Sequence, residues 1–199
     1  MEINGFQLFP TALDADAQAS LVALVMAAAD TAPFYRPATP GGKAMSVLQT
    51  SFGPLGWITD PAGYRYGPAH PQTGAPWAPM PRVLLDIWRQ YAGDAPAPDS
   101  CLINLYRGEA KMGLHQDADE LDFSVPVLSV SLGDTAVFRL GGEARSDPTR
   151  TVRLASGDIC LLSGASRRFY HGVDRILAGS SRLIPGGGRL NLTMRRARG

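Results

Sequence analysis

Two residues that can bind a metal ion, His115 and Asp117, stand two positions apart behind an apolar run. Side chains at that spacing on an extended strand point the same way, so an imidazole nitrogen and a carboxylate oxygen could reach one ion. A third candidate ligand, His171, follows the apolar segment 159–162. Two histidines and one carboxylate on one side of an ion leave its other positions open, which is typical of non-haem Fe(II) sites that use oxygen.

The His-x-Asp pair alone also fits a solvent-facing pair that caps a turn, so a second signal is needed. A strand with one apolar and one polar face is predicted near the C-terminus, where a period of two sets Leu190, Leu192 and Met194 between Arg189, Asn191, Thr193 and Arg195. Burying two arginines on one strand face is costly unless anions meet them. A ligand with two carboxylates would meet both through bidentate pairing.

These motifs, in this order and spacing, resemble those of the AlkB family of Fe(II)- and 2-oxoglutarate-dependent dioxygenases, which are oxidative nucleic-acid demethylases. The resemblance runs through CLINLYRGEAKMGLHQDADE, FRLGGEARSDPTR, the region from SGD to FYHG, and RLNLTMR. It implies that the chain binds Fe(II) as cofactor and 2-oxoglutarate as co-substrate. The matching positions assign the metal to His115, Asp117 and His171. They assign the distal carboxylate of 2-oxoglutarate to Arg189, Asn191 and Tyr106, and its chelating end to Asn104 and Arg195.

A covering segment rich in proline and glycine, residues 31–81, resembles the nucleotide-recognition lid of the same family. The resemblance carries Trp57 and Tyr64 over as base contacts and Tyr66 as a phosphate or lid contact. Aromatic rings on such a cover can sandwich a flipped base. The same rings could instead only pin the loops to the body of the protein, and we expect Trp77 to lie in the core.

Polar substrate contacts are implied at several positions after the first metal ligands. Asp119 matches an acidic residue that meets the exocyclic amino group of 1-methyladenine or 3-methylcytosine, two cationic lesions that a carboxylate would favour. Arg145 matches a substrate-contacting arginine. Glu120 could support Asp119, and Arg167 and Arg168 could bind the nucleic-acid backbone. Each of these could also be a solvated surface residue.

The elements that must position these residues are read from periodicity and turn signals. Helices are predicted over 14–29, with apolar Leu21, Leu24, Val25 and Ala28, and over 81–91, with Pro81 in its first turn. Short strands separated by turns are predicted at 100–106, 125–132, 135–140, 150–154, 159–163, 169–173 and 188–195. This pattern predicts a mainly β fold with flanking helices, with a double-stranded β-helix, or jelly roll, over about 100–199.

The length of 199 residues predicts a single domain over residues 1–199, and a hydrophobic content of 45% is typical of soluble globular proteins. No secretory signal or apolar run of roughly 20 residues is evident. Two cysteines, Cys101 and Cys160, are too few for a disulfide framework and are expected to be buried. We therefore expect a cytoplasmic monomer, and we expect His70 on the surface.

The net charge of +1 conceals an uneven distribution along the chain. Residues 1–144 carry 8 Lys and Arg against 15 Asp and Glu, whereas residues 145–199 carry 11 Arg against 3 Asp. One surface could therefore attract phosphates. The same numbers also fit a general preference for arginine, with 17 Arg and 2 Lys in the whole chain.

The expected function is oxidative demethylation of 1-methyladenine and 3-methylcytosine in DNA, single-stranded more than double-stranded, with RNA left open. The reaction would use Fe(II), O₂ and 2-oxoglutarate and release formaldehyde, succinate and CO₂. It would leave the unmodified base, which is direct-reversal repair. The first alternative is a 2-oxoglutarate dioxygenase acting on a protein or small molecule, which would not need Trp57, Tyr64 and Asp119. The second is a jelly roll that binds metal without turnover.

Overall fold

The computed structural model describes all 199 residues and contains two α-helices, thirteen strands and one short 3₁₀ helix. The helices are α1 (Ala15–Ala29), α2 (Arg82–Ala92) and the 3₁₀ helix (Gly164–Arg168). The strands before α2 are β1 (Glu2–Ile3), β2 (Phe6–Phe9), β3 (Leu48–Phe52), β4 (Gly56–Asp60) and β5 (Gly63–Gly67). The strands after it are β6 (Ser100–Tyr106), β7 (Met112–His115), β8 (Val127–Gly133), β9 (Thr135–Leu140), β10 (Arg150–Leu154), β11 (Ile159–Leu162), β12 (His171–Leu177) and β13 (Arg189–Arg195).

Eleven strands form two sheets, in which paired strands run antiparallel. The larger sheet has seven strands in the order β1-β2-β11-β8-β13-β6-β3, and the smaller has four in the order β10-β9-β12-β7. Tyr106 of the larger sheet packs with Ala136 and Val173 of the smaller one, so the two sheets contact each other. The predicted mainly β jelly roll with flanking helices is confirmed.

The two faces of the larger sheet have opposite character, as the period of two along β13 predicts. Leu190, Leu192 and Met194 are fully buried in the main hydrophobic cluster, together with side chains of α1 and α2. The intervening polar side chains of β13 lie on the other face. Helix packing thus buries the apolar face, and the polar face is left for the site.

Both helices lie close to their predicted positions. Asp14 caps α1 by accepting a hydrogen bond from the backbone amide of Ala17 at 2.8 Å. Leu21, Val25 and Ala28, three of the four apolar residues that indicated this helix, are buried. Leu24, the fourth, is 41% exposed, and Val22 is buried in α1 instead.

The covering segment contains more regular structure than its prolines and glycines predict. Strand β3 joins the edge of the larger sheet, and β4 and β5 form a separate hairpin in which Trp57 lies opposite Tyr66. Trp77 is buried as expected, and its indole nitrogen donates to the Gly67 carbonyl at 2.9 Å. The prediction for His70 is wrong, since this side chain is buried with its Nε2 2.8 Å from the Pro33 carbonyl oxygen.

Cys101 and Cys160 are free and buried on strands of the larger sheet, as predicted. Burial raises the pKa of Cys160 to about 12, which keeps the thiol protonated. Neither helix combines the length and the apolar character that a membrane span requires. The division of the chain into a lid over about 31–81 and a core over about 100–199 stays a prediction.

Candidate active site

The three candidate metal ligands converge where the smaller sheet ends. His115 closes β7, His171 opens β12, and the two residues are paired across these antiparallel strands. Asp117 follows β7, with one carboxylate oxygen 3.8 Å from His115 Nε2 and the other 3.7 Å from His171 Nε2. Ligand atoms of all three lie within 4.8 Å of one another, so they could hold one metal ion.

Each histidine ring is oriented by the backbone two residues earlier. His115 Nδ1 lies 2.9 Å from the Gly113 carbonyl oxygen, and His171 Nδ1 lies 2.9 Å from that of Phe169. A carbonyl oxygen can only accept, so each Nδ1 carries the proton. The lone pair of each Nε2 is left free for a metal, an arrangement usual for ligating histidines.

Asp117 is buried and ionised. Burial alone would raise its pKa, but the Arg195 guanidinium, His171 and His115 hold the pKa well below its usual range. The Arg195 Nη2 donates to Asp117 Oδ1 at 2.8 Å. Burial and then the proximity of His115 lower the pKa of His171 to about 4, so the ring is neutral near pH 7. A neutral imidazole and a carboxylate anion are the protonation states that metal binding requires.

Arg189 lies deep between the sheets and lacks a carboxylate partner. Its guanidinium donates to Ser131 Oγ at 2.7 Å and to the Leu154 carbonyl at 3.0 Å, while its Nε has no hydrogen-bond partner. Burial lowers its pKa to about 10, because desolvation disfavours the charged form. A buried cation with a free donor fits the carboxylate of a bound 2-oxo acid.

The remaining co-substrate candidates lie on neighbouring positions of the same sheet face. Tyr106 is paired with Arg189, and Asn104 with Asn191, across β6 and β13. The Tyr106 hydroxyl makes no hydrogen bond within the protein, and burial raises its pKa to about 12. Asn104 accepts from Gln49 Nε2 at 2.8 Å, which leaves its own amide group free to donate.

Asn191 is more constrained than the other predicted co-substrate residues. Its side-chain nitrogen donates to Ser129 Oγ at 2.6 Å, and its oxygen accepts from Thr193 at 2.9 Å. Arg195, at the other end of β13, donates to Asp117, and its Nε makes no hydrogen bond but lies 3.7 Å from Glu120 Oε1. A buried guanidinium therefore stands at each end of the polar face of β13: Arg189 lacks a carboxylate partner, and Arg195 is ion-paired with two carboxylates.

The hairpin of β4 and β5 reaches the loop that follows Asp117. Trp57 and Tyr64 stack with ring centroids 5.4 Å apart and planes inclined by 16°, and Tyr64 is half exposed. Trp57 Nε1 donates to Asp119 Oδ2 at 2.7 Å. The Tyr66 hydroxyl donates to Glu120, and burial together with that carboxylate raises the Tyr66 pKa above its usual range. The predicted base-contacting residues are thus close together at the mouth of the site.

Arg145 lies on the loop that connects β9 and β10, close to the metal ligands. Its Nη1 donates to the Leu114 carbonyl at 2.8 Å, one residue before His115. The guanidinium carbon lies 5.9 Å from the centre of the Tyr170 ring, one residue before His171. Arg145 is exposed, so it remains accessible to a ligand.

Arg167 is the main functional residue whose role the sequence pattern does not reveal. The prediction that it binds the nucleic-acid backbone is wrong, because its side chain is 2% exposed and its donors are engaged within the protein. They reach Glu120 at 2.9 Å and the carbonyls of Asp117 and Val125 at 2.8 Å. No sequence signal separates it from the exposed Arg168 beside it.

Two further polar residues, Gln49 and Ser131, were not predicted and lie in one row with Asn104 and Asn191. The row crosses β3, β6, β13 and β8 on the polar face of the larger sheet. Both residues are buried. In β8, Ser129 and Ser131 alternate with apolar residues, which is a signal in the sequence, whereas β3 carries three consecutive polar residues, so Gln49 is recognised only once the strand register is known.

Comparisons with known proteins agree with this geometry. The family described as the 2OG-Fe(II) oxygenase superfamily matches residues 5–195. An alpha-ketoglutarate-dependent dioxygenase AlkB homolog of Caulobacter vibrioides is 59% identical over 196 residues, which are 98% of this chain and 89% of that protein. The human protein named nucleic acid dioxygenase ALKBH1 is 36% identical over 128 residues, which are 62% of this chain and 32% of the human protein.

A solved structure agrees as well. The structure of OsALKBH1 superposes with a TM-score of 0.79 and 32% sequence identity, covering 98% of this chain and 100% of that chain. The donor set of His115, Asp117 and His171 fits Fe(II), and the buried Arg189, whose Nε has no hydrogen-bond partner, fits a carboxylate of the co-substrate. The chain therefore belongs to the 2OG-Fe(II) oxygenase superfamily and, within it, to the AlkB family of dioxygenases, which use Fe(II) and 2-oxoglutarate.

Proposed function

We propose that this dioxygenase demethylates N-methylated bases in nucleic acid, 1-methyladenine and 3-methylcytosine in DNA first, with RNA as a further substrate. The observation that carries the proposal is the stacked pair of Trp57 and Tyr64, tied by a hydrogen bond to Asp119 two residues from a candidate metal ligand. Stacked aromatic rings beside a reaction centre suit a planar base taken out of its strand. The printed name of the human relative, nucleic acid dioxygenase, supports the same substrate class.

Each part of the site has a role in this reaction. His115, Asp117 and His171 would hold the iron, while Arg189 would bind the distal carboxylate of 2-oxoglutarate and Arg195 would stand near its chelating end. With Fe(II) bound, O₂ and 2-oxoglutarate would supply the oxidation: one oxygen atom of O₂ would enter succinate as CO₂ is lost, and the other would hydroxylate the N-methyl group, which then leaves as formaldehyde. The protein contributes position and orientation. Burial of Arg189 and Arg195 strengthens their attraction for the co-substrate's anionic groups.

The hairpin of β4 and β5 and the loop after Asp117 would select and align the base. Trp57 and Tyr64 would stack on it, and Tyr66 would hold the hairpin against Glu120. Asp119 would accept a hydrogen bond from the exocyclic amino group and favour cationic lesions over neutral bases. Arg145, exposed beside the metal ligands, would contact the substrate as well. Single strands should be preferred, because unstacking a base costs less there.

The direct test is formaldehyde release from an oligonucleotide that contains 1-methyladenine, with iron, ascorbate and 2-oxoglutarate present. The native chain should release formaldehyde and succinate in equal amounts, and Asp117→Ala should release neither. A methylated peptide in a parallel reaction tests the alternative that the enzyme acts on protein. Formaldehyde from the peptide and none from the oligonucleotide would overturn the proposal. Cytoplasmic location and a monomeric state stay predictions.

A further inference from the structure

A second cavity opens beside the candidate active site and has no role in the reaction described so far. It measures about 380 Å³ and is walled by the loop after Asp117, the loop after β9 and the 3₁₀ helix. The residues that line it include Phe123, Glu143, Gly164, Ala165, Arg168 and Phe169. The cavity therefore combines aromatic and charged side chains with small residues that leave space.

The cavity is joined directly to the segment that carries the metal ligands. Gln116, between His115 and Asp117, donates from Nε2 to the Arg168 carbonyl at 2.5 Å, and the same nitrogen lies 3.5 Å from the Glu143 carbonyl. The Phe169 carbonyl accepts from His171 Nδ1. A molecule in the cavity would thus lie next to whatever occupies the metal site.

One aromatic ring of this cavity, that of Phe123, is partly exposed to solvent. Phe123 is 36% exposed and the neighbouring Leu121 is 79% exposed. Large exposed hydrophobic side chains are few in this protein, and Tyr64, Leu121 and Phe123 all belong to the lid hairpin or to the loop after Asp117. Apolar surface kept in water near a site usually marks a place where a ligand or partner binds.

The charges around the ring match a nucleic-acid strand. The guanidinium carbon of Arg168 lies 5.4 Å from the centre of the Phe123 ring, and that of the buried Arg167 lies 5.3 Å from it. Arg168 is exposed, and exposed Arg145 lies on the same loop as Glu143. A ring for stacking, beside an exposed cation for phosphate, is the combination that binds single strands without reading their sequence.

We propose that the cavity at Phe123 and Arg168 holds the nucleotide next to the methylated one in the same strand. The neighbouring base stacks against Phe123, and its phosphate is bound by Arg168. Two adjacent bases are thereby separated, one at the Trp57 and Tyr64 stack and one at Phe123, which keeps the methylated base out of the strand. This inference rests on the proposed function, since it assumes a nucleic-acid substrate.

The test compares two short single-stranded oligonucleotides that contain 1-methyladenine, one with normal neighbouring nucleotides and one with abasic neighbours. Phe123→Ala should lower kcat/KM for the normal oligonucleotide by roughly 5- to 150-fold, the range expected for loss of one base stack. It should leave kcat/KM for the abasic oligonucleotide unchanged, because no base is there to stack. Arg168→Ala should lower kcat/KM for both and should weaken its dependence on salt, since it removes a phosphate contact.

Controls separate this effect from general damage. Phe123→Tyr should restore native values, because it keeps the ring. Leu24→Ala removes an exposed hydrophobic side chain from α1, and Arg89→Ala removes an exposed arginine from α2. Both helices lie on the apolar side of the larger sheet, so neither variant should change kcat/KM for either oligonucleotide. Succinate release without nucleic acid should be equal in all variants if the active site is intact.

Equal losses on both oligonucleotides for Phe123→Ala, or no loss on either, would overturn the inference. The proposed function fails separately, if the native chain releases no formaldehyde from either oligonucleotide. In that case fluorescence anisotropy with an unmethylated oligonucleotide still tests the cavity. Weaker binding in Phe123→Ala than in Phe123→Tyr supports it, and equal binding overturns it.

Discussion

The guanidinium of Arg167 donates a hydrogen bond to the backbone carbonyl oxygen of Asp117 at 2.8 Å, so a buried arginine holds the main chain of a candidate metal ligand. The same side chain binds Glu120 at 2.9 Å, and Glu120 accepts from the Tyr66 hydroxyl of the lid hairpin. Arg167 therefore helps to fix both the main chain of the ligand and the position of the hairpin, beside Arg195, which binds the Asp117 carboxylate at 2.8 Å. Both partners of the ion pair are almost inaccessible to water, unlike those of the exposed pairs elsewhere.

Replacing Arg167 by methionine should destabilise the protein and weaken metal binding together. The buried Glu120 carboxylate would lose its 2.9 Å ion pair and keep only Arg195 Nε at 3.7 Å, which should cost up to about 3–5 kcal/mol of unfolding free energy. Urea unfolding and titration with Mn(II) measure the two effects. Arg168→Met, on the exposed neighbour, should change the unfolding free energy by less than about 0.5 kcal/mol. The double variant Glu120→Gln with Arg167→Met should recover part of the loss, because it removes the unpaired charge.

Arg189 should make binding of the co-substrate depend on its distal carboxylate. Arg189→Met should raise the Michaelis constant for 2-oxoglutarate on the order of 100-fold, since a charged hydrogen-bond partner is worth roughly 1.5–3 kcal/mol. The Michaelis constant for 2-oxobutyrate, which lacks the distal carboxylate, should not change. Succinate and propionate release measure the two reactions. A parallel rise in both constants would contradict this role for Arg189.

The bond between Trp57 and Asp119 should contribute to lesion preference. Asp119→Asn should lower kcat/KM for cationic 1-methyladenine roughly tenfold, because a charge-assisted hydrogen bond is weakened. Any activity on neutral N6-methyladenine should change less. Trp57→Phe keeps a ring for stacking but cannot donate to Asp119. Its kcat/KM for 1-methyladenine should therefore fall less than that of Trp57→Ala. Formaldehyde release from each methylated oligonucleotide measures these differences.

The metal-free protein should lose stability as pH falls from about 6.5 to about 4. Burial and the nearby His115 lower the pKa of His171 from 6.5 to about 4, so the unfolded chain binds a proton in that range before the folded chain does. The contribution of the neutral His171 ring to the unfolding free energy is fully present above pH 6.5 and should decline by about 3 kcal/mol as the pH falls to 4. Urea unfolding at several pH values measures it.

His171→Gln is the matched variant for this pH dependence, since it removes the titrating ring and keeps a polar side chain. Its unfolding free energy should vary less with pH between 4 and 6.5 than that of the native chain. The Asp117 carboxylate titrates below this window, because its pKa is held well below its usual range. An equally steep dependence in both proteins would assign the effect to other groups.

The local sequence pattern was sufficient to predict those features of the protein that depend on residues close together in the chain. Alternation along 189–195 determined a strand with Leu190 and Leu192 on one face and two arginines on the other, because side chains of a strand alternate by geometry. The spacing of His115 and Asp117 determined that they could share an ion. A capping Asp14 and a helix-forming run determined α1.

Only the tertiary structure decided which of several equivalent residues is buried and what it contacts. Arg167 and Arg168 are adjacent arginines, yet Arg167 donates to backbone carbonyls 42 and 50 residues away, whereas Arg168 faces solvent. His70 is buried because the Pro33 carbonyl, 37 residues away in the chain, meets its ring. Burial of a polar side chain depends on partners that folding brings from distant positions, and those partners leave no periodic trace in the sequence.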